Sequence, residues 1–123
     1  MPELKKQSQV PSQEDFARAK SKSRQFDEIA GRVREAVLDE FRERAPISSV
    51  WLFPGQDGDL NGYVFYFATS DVADSLESGL SDEIEKALVR KSKELIGSGC
   101  SVIFDSHESV VRKCNGNYFQ YLR

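Results

Sequence analysis

An apolar stripe with helical spacing runs through residues 26–41 of this 123-residue chain. Its members step by three and four along the sequence: Phe26, Ile29, Ala30, Val33, Val37 and Phe41. Charged residues fill the intervening positions, so the pattern predicts a long helix that buries one face against another element. Ser12 is a good helix N-cap, and Pro46 disfavours helical geometry at Ala45. The helix is therefore predicted to begin at Ser12 and to end before Pro46.

Two strands are predicted after this helix. Ile47–Phe53 and Tyr63–Thr69 are rich in β-branched and aromatic residues, and turn-forming residues separate them. The simplest pairing of the two is antiparallel. A second apolar stripe, from Val72 to Leu95, predicts a further helix. Gly79 lies within it and Ser81 is a second candidate N-cap, so a short helix followed by a longer one is also compatible with the pattern.

The C-terminal quarter leaves one assignment open. Ser101–Phe104 is predicted to be a third strand. In one interpretation of residues 106–114, Ser106 caps a short helix; in the other, Val110–Cys114 is a strand that enters an Asn-Gly hairpin turn. The capping residues slightly favour the helix. Tyr118–Leu122 is predicted to be a half-buried strand in either case, with Phe119 and Tyr121 on one face and Tyr118, Gln120 and Leu122 on the other.

The order helix, strand, strand, helix, strand, strand predicts an α+β fold. We expect a four-stranded, mostly antiparallel sheet with two main helices packed on one face. Residues 12–123 are predicted to form a single domain, because their number fits one hydrophobic core. Residues 1–11 are polar and lack periodicity, and are predicted to be a flexible tail.

Composition narrows the range of partners. No apolar run approaches the roughly 20 residues that span a bilayer, and the first residues do not resemble a secretory signal, so we expect a cytoplasmic protein that does not bind membranes. The net charge of −3 and the pI of about 5.2 disfavour a nucleic-acid-binding protein. Cys100 and Cys114 have the spacing of neither a zinc motif nor a disulfide framework.

No catalytic residue, metal site or cofactor is predicted. The single histidine, His107, lies between Asp105 and Glu108, and such residues are common in general acid–base catalysis. However, the sequence offers no third group to orient them. The loop that begins at Asp57 resembles half of a calcium loop, but its twelfth position is Ala68, which cannot bind the ion. A small enzyme that uses His107 with its neighbouring carboxylates is kept as an alternative.

The central segment of the chain carries charge of one sign. Between Ala45 and Glu85 there is no lysine or arginine. The acids in this segment are Asp57, Asp59, Asp71, Asp74, Glu77, Asp82, Glu83 and Glu85. A surface of one sign attracts a basic partner and repels nucleic acid, so these residues are predicted to bind a partner protein. The alternative is a solvated face that keeps the protein soluble, and acids at opposite ends of one strand need not form a single patch.

The C-terminal segments Phe104–Val110 (FDSHESV) and Gly116–Arg123 (GNYFQYLR) resemble the closing segments of some bacterial immunity proteins. Those proteins belong to polymorphic toxin and contact-dependent growth inhibition systems. The resemblance implies a small inhibitor that binds a cognate basic toxin, in many cases a nuclease, and covers its active site with carboxylates.

By this resemblance, exposed aromatic residues such as Trp51 and Tyr63 would anchor the centre of the interface. A place for Trp51 in the core is the alternative. The protein is expected to be a monomer or a weak dimer, and a homo-oligomeric adaptor module is a further alternative.

Overall fold

The computed structural model describes the backbone of residues 13–55 and 58–122, with side chains from residue 24 onward within those ranges. The elements in chain order are α1 (Gln13–Phe41), β1 (Ile47–Pro54), β2 (Leu60–Tyr66), α2 (Thr69–Glu77), α3 (Leu80–Leu95), β3 (Cys100–Ser106), α4 (His107–Cys114) and α5 (Tyr118–Tyr121). The predicted α+β class is confirmed. The predicted tail and the cap at Ser12 lie outside the described residues. Within the described part of the chain, no helix has the length and hydropathy needed to cross a membrane.

The sheet has three strands in the order β1-β2-β3 across the described residues, so the prediction of four mostly antiparallel strands is wrong. β1 and β2 are antiparallel, with Val50 opposite Val64. β2 and β3 are parallel, with Val64 beside Phe104. The parallel pairing arises because α2 and α3 lie between these strands and return the chain to the end of the sheet where β2 starts.

The segment that was expected to form the fourth strand is the short helix α5. Asn117 caps this helix by accepting a hydrogen bond at its side-chain oxygen from the Gln120 backbone N–H, at 3.1 Å. The preceding Asn115 and Gly116 both have left-handed backbone conformations, with φ of 53° and 83°. This Asn-Gly pair ends α4 and does not form a hairpin turn, so Tyr118–Leu122 has no neighbouring strand to pair with.

Of the two interpretations of residues 106–114, the helix is confirmed. The Ser106 hydroxyl accepts a hydrogen bond from the Ser109 backbone N–H at 3.0 Å and caps α4. The interpretation of residues 72–95 as a short helix followed by a longer one is also confirmed. Gly79, with φ of 82°, separates α2 from α3. Ser81 is not the cap of α3; it is buried and shares a hydrogen bond with the Tyr66 hydroxyl at 2.8 Å.

The core lies between one face of the sheet and the two long helices. It combines Val33, Val37 and Phe41 of α1, Val50, Val64 and Tyr66 of the sheet, and Ile84, Ala87 and Leu88 of α3. Because successive strand residues point to opposite faces, Trp51, Tyr63 and Phe65 lie on the other side of the sheet. Side chains of α5 pack on this second face.

Candidate partner-binding surfaces

The acidic residues predicted to bind a partner occupy two separate places. Asp59 precedes β2, and its carboxylate accepts a hydrogen bond from the Gly99 backbone N–H at 3.2 Å. This bond joins the loop before β2 to the loop before β3. The acids of α2 follow the other end of the seven-residue β2, about 20 Å away at strand spacing. Asp59 therefore does not share one patch with the acids of α2, and Asp57 lies outside the described residues.

The other six acids lie on two consecutive helices, and we call this set of residues the acidic corner. It consists of Asp71, Asp74 and Glu77 on α2 and Asp82, Glu83 and Glu85 on α3. The two helices meet at Gly79, whose left-handed backbone conformation lets the chain change direction within two residues.

Half of the acidic corner is already engaged within the molecule. The Asp71 carboxylate accepts a hydrogen bond from the Ala68 backbone N–H at 3.1 Å, at the start of α2. Asp82 lies 3.0 Å from the ammonium group of Lys86. Glu83 lies 2.9 Å from the guanidinium of Arg44, which comes from the end of α1. Lys86 and Arg44 thus partly neutralise Asp82 and Glu83, and Asp71 stabilises the start of α2.

Asp74 and Glu77 differ from these three. Both are exposed, and neither forms an ion pair with any side chain among the described residues. Leu76 lies between them in sequence and is 72 % exposed. One short helix thus exposes a leucine and two carboxylates, groups that supply apolar contact and charge attraction at an interface.

The helix that carries these groups is held firmly at its start. The Thr69 backbone N–H donates to the Glu108 carboxylate at 2.6 Å, and the Thr69 and Ser106 hydroxyls share a hydrogen bond at 2.9 Å. Both bonds connect α2 to the beginning of α4. A surface that is rigid before binding loses less conformational entropy when a partner binds.

Trp51 was predicted to be an interface anchor, and the structure places it mainly against the second face of the sheet. Its indole stacks on Tyr118 with ring centroids 5.4 Å apart and meets Phe119 edge-on at 6.0 Å. The indole N–H donates to the Ser49 hydroxyl at 3.2 Å. Trp51 is half-buried, so it supports the rings around it and exposes only part of its own surface.

Tyr63 lines a groove that we call the aromatic groove. Its walls are Phe53, Asn61, Tyr63, Phe119 and Leu122, and its volume is about 300 Å³. Asn61 and Tyr63 point to the same face of β2, and Phe53 lies opposite Asn61 on β1. The sequence prediction did not include Phe53. This residue follows Leu52 in β1, so its side chain points to the opposite face of the sheet from that of Leu52. The prediction missed Phe119 because the residue was assigned to a strand and not to α5.

The residues around His107 do not form a catalytic pair. His107 Nδ1 lies 2.6 Å from the Tyr118 hydroxyl, Asp105 accepts a hydrogen bond from the Tyr121 hydroxyl, and Glu108 binds the start of α2. His107 and Asp105 therefore both bond to α5, and Glu108 bonds to α2. These three neighbouring residues hold α5 and α2 in place.

The hydrogen bond between Tyr121 and Asp105 affects the pKa of the tyrosine. Burial raises the pKa of Tyr121 to about 12, and the hydrogen bond and charge of Asp105 act in the same direction. The folded state therefore favours the protonated phenol, because ionisation would place two negative charges together. The resulting stabilisation is complete below pH 10, the ordinary pKa, and is lost as the pH rises towards 12.

We expect an Asp105→Asn variant to ionise Tyr121 at lower pH than the wild-type protein does. Ultraviolet titration of phenolate absorbance measures this shift. The unfolding free energy of the wild type should also decrease between pH 10 and pH 12, and should decrease less in a Tyr121→Phe variant. Identical phenolate titrations for Asp105→Asn and wild type would show that the carboxylate does not control the tyrosine.

Among the described residues, no group of three histidine, cysteine or acidic side chains is arranged to hold a metal ion. Cys100 and Cys114 are both free thiols. No protein-family model, curated protein or solved structure matches the chain.

Proposed function

We propose that this chain is a cytoplasmic immunity-type protein that binds and neutralises a cognate basic protein, such as a toxin domain with nuclease activity. The observation that carries the proposal is that one short helix, α2, exposes Leu76 and the carboxylates of Asp74 and Glu77, which form no ion pair with other described residues. An apolar side chain exposed to 72 % gains by being covered, and the acids select a partner that brings lysine or arginine.

The acidic corner supports both fast and selective association. The exposed carboxylates of α2 attract a basic protein over distances of about a Debye length, roughly 10 Å at 0.1 M salt. A partner with acids at its own surface is repelled by the same field. Because Asp82 and Glu83 are paired with Lys86 and Arg44, we assign the strongest attraction to Asp74 and Glu77.

Neutralisation follows from the shape of this surface. An interface of standard size buries about 800 Å² on each partner, which is more than one short helix offers, so α3 must contribute as well. Carboxylates from both helices would occupy the place that a phosphate backbone takes in a basic nuclease. Binding would thus block access of the substrate to the partner's site.

The proposal is tested by capture from the lysate of the source organism at low salt. The wild-type chain should retain one basic protein in equal molar amount and release it at about 1 M salt, where the Debye length falls to about 3 Å. A variant with Asp74→Asn and Glu77→Gln should retain much less of it. The matched control carries Glu28→Gln and Glu35→Gln on α1, which are exposed acids outside the acidic corner. Equal retention by both variants would contradict the proposal.

A further inference from the structure

Two phenylalanine rings of the aromatic groove are exposed to solvent. Phe119 is 78 % exposed and Phe53 is 37 % exposed, although both belong to the ring cluster around Trp51. The rings of Phe53 and Tyr63 meet at 71° with centroids 6.1 Å apart. Two nearly perpendicular rings form a corner that is open to solvent.

The chemistry of this corner favours a cation. Aromatic rings carry partial negative charge on their faces and attract ammonium or guanidinium groups within about 6 Å of the centroid. The lining residues among the described part of the chain include no lysine or arginine that would compete for the rings. Asn61 supplies the one side-chain carbonyl in the lining, and this oxygen can accept a hydrogen bond from a guanidinium N–H.

The rings that line the groove are also fixed from below. Phe65 is fully buried and packs edge-on against Tyr118 at 4.9 Å, and Tyr118 stacks on Trp51, which supports Phe119. A preformed aromatic corner binds a planar cation without first having to order its own side chains. Arginine fits better than lysine, because its flat guanidinium stacks on a ring and donates hydrogen bonds at its edge.

We propose that the aromatic groove binds one arginine side chain of the basic partner, between the rings of Phe53, Tyr63 and Phe119. This inference rests on the proposed function, which supplies a partner rich in such side chains. The groove adjoins the start of β2 and the acidic corner follows its end, about 20 Å away. Because the groove lies on the second face of the sheet and α3 packs on the first, the groove is a contact separate from the α3 part of the acidic corner.

The test needs no partner protein. N-acetyl-arginine amide is titrated into the full chain, and binding is followed by the fluorescence of Trp51, the only tryptophan, and by the NMR signals of the aromatic rings. The matched probe is N-acetyl-citrulline amide, which has nearly the same shape and no charge. We expect saturable shifts of the Phe53, Tyr63 and Phe119 signals with the arginine probe, and binding about two- to fivefold weaker with citrulline.

Two variants locate the site. Phe119→Ala removes an exposed ring and should weaken binding of the arginine probe about two- to fivefold. Val111→Ala, also at an exposed apolar position but outside the groove, should leave it unchanged. Equal binding of both probes, absence of shifts, or full binding by Phe119→Ala would overturn the inference.

The result is independent of the acidic corner. The Asp74→Asn and Glu77→Gln variant should bind the arginine probe as the wild type does, while losing capture of the basic partner. Failure of the groove and failure of the proposed function are therefore seen in different experiments.

Discussion

Replacing Phe65 with alanine lowers the free energy of unfolding by about 3–5 kcal/mol, the usual cost of deleting a buried phenyl ring. Phe65 is fully buried, at 0 % exposure. Its ring meets Tyr118 and Tyr121 edge-on, with centroids 4.9 Å and 5.5 Å away. Alanine would leave a cavity between β2 and α5 that the short helix can fill only by moving. Because domains of this size have a total stability of about 5–15 kcal/mol, the variant is expected to be marginally folded.

The matched control is Phe119→Ala, which removes the same ring from the same cluster at a position that is 78 % exposed. Its cost is expected to stay within about 1 kcal/mol, since little apolar surface returns to water. Urea denaturation followed by circular dichroism measures both variants. If Phe65→Ala costs no more than Phe119→Ala, α5 does not cover the second face of the sheet, and the aromatic groove does not exist as described.

Reversing the charge of Asp74 and Glu77 to lysine slows association with the basic partner at least about tenfold at low salt. The two substitutions place positive charges on α2 at the two carboxylates to which the proposal assigns the strongest attraction for the partner. Stopped-flow or surface plasmon resonance measurements give the association rate. The difference from wild type is expected to shrink as the salt concentration rises, because exposed charges are screened beyond the Debye length.

A second charge-reversed variant separates local attraction from net charge. Glu28→Lys with Glu35→Lys changes the net charge by the same amount on the exposed face of α1. We expect its association rate to fall much less, because these residues lie outside the acidic corner. Equal slowing by the two variants would mean that net charge alone attracts the partner and that the acidic corner has no special role.

The sequence predicted the elements that local periodicity determines. Helix α1 has its apolar residues where the pattern placed them, with Val33, Val37 and Phe41 in the core. The prediction failed at Tyr118–Leu122, where alternation indicated a strand. The Asn-Gly pair that precedes this segment occurs both in hairpin turns and at helix ends. Packing of the segment against the second face of the sheet decides between the two structures. The direction of β3 relative to β2 also could not be predicted from local sequence, because it depends on the crossover through α2 and α3.

The candidate surfaces depended even more on tertiary structure. The sequence contains every acid of the acidic corner, but it cannot show that Glu83 pairs with Arg44, a residue 39 positions away. It likewise placed Glu108 beside His107 as a candidate acid, whereas this carboxylate holds the start of α2. The aromatic groove joins residues of β1, β2 and α5, so its existence follows from the packing of α5 and not from any local pattern.

Growth of cells that express the captured partner tests most directly whether binding through the acidic corner neutralises it. Expressed alone, the partner should arrest growth, and co-expression of the wild-type chain should restore it. The Asp74→Lys and Glu77→Lys variant, shown to be folded by circular dichroism, should not protect, while the Glu28→Lys and Glu35→Lys variant should. A partner that is harmless alone, or protection by the first variant equal to that of the wild type, would contradict the account.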